Sequence, residues 1–159
     1  MSDPSEILKR RLRDVIDHHH SSEGLHFFAQ IGGPTDAFGM TTLQVSGTGS
    51  IILGWRQDDE RLLYSYVFSE SDRARFYKML LELPFWESAT TRRSGKDGEM
   101  NIHMRLSDQK AGTWNGIQCW HTDLAQYTTV EHLCMRLRRL MGSISDEQMP
   151  IPQWLDALA

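Results

Sequence analysis

Four short runs rich in β-branched and aromatic residues follow one another between Leu25 and Phe68: Leu25 to Ile31, Thr41 to Ser46, Ser50 to Arg56 and Arg61 to Phe68. Such runs, bounded by turn residues, read as strands. The connections constrain the fold further. Gly47-Thr48-Gly49 is a tight hairpin link, Gln57 to Glu60 a polar one, and Gly32 to Gly39 a longer loop. A parallel crossover needs a dozen or more residues, so connections this short predict an antiparallel meander.

Helical periodicity flanks the meander. Ile7, Leu8, Leu12, Val15 and Ile16 form one apolar stripe over Pro4 to His20, with Asp3 as cap and His18, His19 and His20 in the last turn. Ser69 and Asp72 read as a capping box for a helix that buries Phe76, Met79, Leu80 and Leu83 and stops at Pro84. The polar stretch 88–99, with Arg92-Arg93-Ser94-Gly95-Lys96, reads as a mobile surface loop. Met100 to Leu106 and Thr113 to His121 then form a second hairpin. Thr128 and Glu131 give a further capping box, opening a helix that buries Val130, Leu133, Cys134, Leu137, Leu140 and Met141 and closes at Gly142. The fold class predicted is α+β: an antiparallel sheet of about six strands, ordered helix, four strands, helix, two strands, helix, with the helices on one face. No repeat or linker divides the chain, so residues 1–159 are expected to form one domain, with a short docking tail at 146–159 that carries Trp154 and Leu155.

Composition enters as a filter on function. A 159-residue chain with 40% hydrophobic residues can bury a full core without staples. Cys119 and Cys134 lack a CxxC spacing and fall in apolar runs, which predicts buried thiols and a reducing, cytoplasmic location. The first residues lack the apolar stretch of a signal peptide, and no window approaches a membrane span. A formal charge of −4 argues against a dedicated nucleic-acid binder and leaves basic protein partners open.

Chemistry-bearing patterns are sparse. Consecutive histidines on a helix point about 100° apart, so His18, His19 and His20 cannot converge on one ion. His103, Cys119 and His121 are the better candidates for an enzyme or zinc site, since Cys119 and His121 share a strand face and His103 lies on the partner strand, although its alternation turns it away from the core. Neither a GxSxG elbow nor a phosphate-cradling glycine motif occurs. No cofactor or metal is therefore expected. Basic clusters at Lys9-Arg10-Arg11-Arg13, Arg92-Arg93 and Arg136-Arg138-Arg139 supply the nucleic-acid alternative.

The order of elements over residues 25–141 resembles small bacterial α+β immunity proteins of contact-dependent and type VI toxin systems. That resemblance implies a non-enzymatic inhibitor bound to a toxin domain and carries no functional residues. On the residues themselves, Asp58, Asp59 and Glu60 concentrate negative charge on one hairpin, suited to a basic partner. Trp114 or Trp120, whichever lies on the solvent face, is the expected aromatic anchor.

Overall fold

The computed structural model describes residues 3–158; Met1, Ser2 and Ala159, the ends of the expected 1–159 unit, lie outside them. Helix α1 (Pro4–Asp17) leads into strands β1 (Leu25–Gly32), β2 (Met40–Ser46), β3 (Ser50–Gln57) and β4 (Glu60–Val67). Helix α2 (Glu70–Glu82) follows, then β5 (Asn101–Asp108), β6 (Thr113–Trp120), α3 (Thr128–Ser145) and α4 (Gln153–Asp156). Two 3₁₀ turns intervene, at Phe85–Glu87 and His121–Gln126. The strands form one six-stranded sheet in the order β4-β3-β2-β1-β5-β6, and every neighbouring pair is antiparallel. The sequence-predicted class and element order are those of the molecule.

Period-2 alternation sets which face is covered. Phe27, Ala29 and Ile31 of β1, Leu43 and Val45 of β2, Ile51 and Leu53 of β3, Ile102, Met104 and Leu106 of β5 and Ile117 and Cys119 of β6 all point to one side and are buried. Leu8, Leu12, Phe76, Leu80, Leu133 and Leu137 from the helices join them in a single cluster that extends to Leu155. The other face, with Phe28, Gln30, Thr42, Gln44, His103 and Arg105, stays open to solvent, as an antiparallel sheet allows.

Helix ends depart from the predicted boundaries for identifiable reasons. α1 stops at Asp17, and His19 takes a left-handed φ of 52°, so the three histidines lie exposed beyond the helix rather than in its last turn. α2 is capped as expected, with the Ser69 hydroxyl accepting from the Asp72 N–H at 3.1 Å. α3 has no side-chain cap: the preceding 3₁₀ turn runs into it, and the Glu131 N–H donates to the Tyr127 carbonyl at 2.9 Å. It also passes through Gly142 and ends at Asp146 and Glu147, both left-handed. Gly142 is there for space, because a Cβ would meet the Glu147 carboxylate at 2.3 Å and the Arg138 guanidinium at 2.6 Å.

The stretch 88–99 is not a free loop. Arg93 binds Glu99 and Asp123. Thr91 donates its N–H to the Gln118 carbonyl at 2.9 Å, and the Trp120 indole donates to the Arg93 carbonyl at 3.2 Å. Residues 90–93 thereby cover the outer edge of β6. The tail is docked as well: Leu155 is fully buried, and Trp154 stacks on His121 with ring centroids 4.9 Å apart.

Candidate functional site

The expected binding residues do not form one patch. Asp58 and Asp59 make the two-residue turn between β3 and β4, with Gln57 paired to Glu60, so all three acids sit at one edge of the sheet. Asp58 holds a left-handed φ of 50°, which Asp tolerates better than most side chains. Turn chemistry thus accounts for one of the acids. Trp114 and Trp120 lie on β6 at the opposite edge, five inter-strand spacings or roughly 24 Å away. Six residues apart, they share parity and therefore both face the open side. Trp114 is 57% exposed and carries the Arg105 guanidinium 4.3 Å from its ring centroid. Trp120 is tied into the 88–99 stretch and packs so closely on Gly95 that a Cβ there would fall 2.4 Å from the ring.

The His103, Cys119 and His121 grouping does not assemble. Cys119 is fully buried beneath the helices, its thiol pushed up to about 12 by desolvation, with Asp123 adding to the shift. His103 pairs with Gln118 on the opposite face, edge-on to Phe28 at 5.9 Å. Partial burial, and then the charge of Arg105, push His103 below the usual histidine range. β6 ends at Trp120, so His121 is not on a strand face at all; its Nδ1 accepts from the Met100 N–H at 2.8 Å. Among the described residues no three His, Cys, Asp or Glu side chains are grouped to hold a metal ion.

Within the basic clusters, Lys9, Arg11, Arg93 and Arg138 are engaged within the molecule. Arg11 reaches Asp108 at 3.1 Å and the Glu23 carbonyl at 3.0 Å, Lys9 pairs with Glu87, and Arg138 with Glu147 and Asp156. Arg10, Arg13, Arg92, Arg136 and Arg139 are exposed and make no ion pair among the described residues; of these, Arg136 and Arg139 stand together on α3.

These two arginines stand on the rim of a groove between α2 and α3 that the sequence reading missed. Its volume is about 360 Å³. Tyr66, Phe68, Phe76, Met79, Leu140 and Ile144 supply an apolar lining, and Arg75, Arg136 and Arg139 line it with positive charge. Asp72 also contributes, paired to Arg75 at 3.6 Å.

Beside this groove runs β4. Leu63 is 75% exposed and Val67 69%, and Leu62 and Tyr66 are also exposed. With Ile52 of the adjoining strand, these make up every exposed large apolar side chain among the described residues except Trp114. Among the described residues no other segment hydrogen-bonds to the outer edge of β4, whereas β6 is covered by residues 90–93. Native sheets normally blunt such an edge. One signal was available in the sequence. Leu62-Leu63-Tyr64 and Tyr66-Val67 place apolar side chains on both faces of the strand, although an outermost strand of a meander has no core to fill on its open side.

The chain matches no protein-family model, and no curated protein is similar to it. No described helix is long and apolar enough to cross a membrane.

Proposed function

We propose that this chain is a non-enzymatic protein-binding domain whose docking surface is the outer edge of β4 together with the groove between α2 and α3. The observation that carries the reading is the collection of exposed Leu62, Leu63, Tyr66 and Val67 on the edge strand β4, with Ile52 beside them on β3. Contiguous exposed apolar surface on a folded domain marks an interaction site, and an open strand edge adds a row of unpaired N–H and C=O groups that a partner can extend. The acidic turn at Asp58, Asp59 and Glu60 keeps its expected place in the surface, since it lies at one end of β4. The expected anchors Trp114 and Trp120 do not, because they lie on the far edge. An inhibitor of a toxin domain, the role implied by the order of elements, is the finer form of this proposal.

The test is capture with a tagged wild-type domain beside a Leu63→Lys/Val67→Lys variant. Both side chains are exposed, so the variant is expected to melt with the wild type. The wild type should retain a protein partner, its own untagged chain included, that the variant loses. Partners held equally by both proteins would move the binding surface elsewhere.

A further inference from the structure

Resting on that reading, we infer that the partner seated on the β4 edge is a second copy of this chain, joined antiparallel about a two-fold axis at Tyr64, so that two sheets become one. The hairpin geometry fixes which groups are free. In a two-residue hairpin the closing pair Gln57 and Glu60 exchanges hydrogen bonds, and the Phe68 N–H donating to the Gly49 carbonyl at 2.8 Å continues the same alternation. Even-numbered residues of β4 are thus committed to β3. Arg61, Leu63, Ser65 and Val67 turn their N–H and C=O groups outward.

A two-fold axis perpendicular to the sheet keeps each face on its own side, so paired residues must share parity. Centring the axis on Tyr64 sets Leu63 opposite Ser65 and Arg61 opposite Val67, which satisfies every outward-facing residue of the strand in one register. On the helix-covered face the same register sets Leu62 against Tyr66, both exposed in the single chain. It also sets Glu60 opposite the second copy's Phe68, which lines the basic groove. The acidic turn of each copy then lies beside Arg75, Arg136 and Arg139 of the other. One arrangement therefore explains an unblunted edge, an acidic tip at one end of it and unpaired arginines at the other, and it is self-complementary as an isologous interface must be.

Sedimentation velocity over a concentration series decides the matter. The wild type should sediment as a dimer of the 18.3 kDa chain. Ser65→Pro removes an outward N–H and leaves the bonds to β3 in place, so it should give a monomer with an unchanged circular dichroism spectrum. Glu60→Arg, and separately Arg136→Glu/Arg139→Glu, should each weaken the dimer by on the order of tenfold, and their combination should restore it. A wild type that stays monomeric, a dimer that survives Ser65→Pro, or charge reversals that do not compensate would each overturn the inference. If the wild type is monomeric while Ser65→Pro still abolishes capture of a different protein, the second copy is excluded and the binding edge stands. If capture is unaffected too, both readings fall.

Discussion

Arg93 grips Glu99 with both terminal guanidinium nitrogens, Nη1 to Oε1 at 2.8 Å and Nη2 to Oε2 at 2.5 Å, while its Nε reaches Asp123 at 3.0 Å. The Lys96 N–H donates to Oε1 of the same carboxylate at 2.7 Å, and the Thr122 hydroxyl donates to its other oxygen. This fork converts a polar, glycine-containing stretch into an ordered cover over β6. Lys could supply the charge at position 93 but not two parallel N–H donors. Arg93→Lys is therefore expected to leave 88–99 nearly as open to protease as Arg93→Ala does, and cleavage within 92–98 during limited proteolysis measures it. Equal resistance in wild type and both variants would mean that other contacts hold the stretch.

Acid should weaken the same anchor. Arg93, then Thr122, hold Glu99 well below the usual carboxylate range. A carboxylate depressed in the folded state contributes stability that is fully present above its unfolded value of about 4.3 and is lost as pH falls through the folded one. Urea midpoints should accordingly drop more steeply below about pH 4 for the wild type than for Glu99→Gln. Parallel curves would show that Glu99 is not part of the acid response.

Leu80 and Leu137 sit at the centres of the buried stripes of α2 and α3, 0% and 1% exposed. Truncating either to Ala leaves a cavity in the buried cluster to which both belong. A loss of about 2–5 kcal/mol each is expected from urea unfolding. A loss below ~1 kcal/mol at both positions is incompatible with close packing there.

The tail should behave as part of the core. Trp154 stacks on His121 and its indole N–H points to the Met100 sulfur at 3.2 Å, while Leu155 is fully buried. Leu155→Ala is expected to cost about 2–5 kcal/mol. Trp154→Phe should remove a component of native fluorescence that iodide quenches poorly; full quenching of that component would place the indole in solvent.

At the β3–β4 turn the sign of the effect depends on backbone conformation alone. Asp58 has φ near 50°, so Asp58→Gly should be neutral within a few tenths of a kcal/mol, whereas Asp58→Val should cost about 1–2 kcal/mol. Thermal melts of the two variants suffice, and equal losses would exclude a conformational origin.

Period-2 alternation in Ile102, Met104 and Leu106, the turn residues of Gly47-Thr48-Gly49 and the stripe of Leu133, Leu137 and Met141 are local signals. They act over a few residues, and they were enough to determine strands, helices, their order and the covered face of the sheet. Ser69 was readable as a cap for the same reason, since its partner is three residues away. What the chain could not disclose locally depended on groups distant in sequence. Arg93 finds Asp123 only because β6 brings the start of the 3₁₀ turn beside it. Arg136 and Arg139 join Tyr66 around one groove only because α3 packs against β4. β4 became an open edge, and β6 a covered one, because the chain inserts β5 beside β1 rather than beside β4. Side-chain pattern sets which face of a strand is apolar; strand order, decided by how the whole core closes, sets which strand is left without a neighbour.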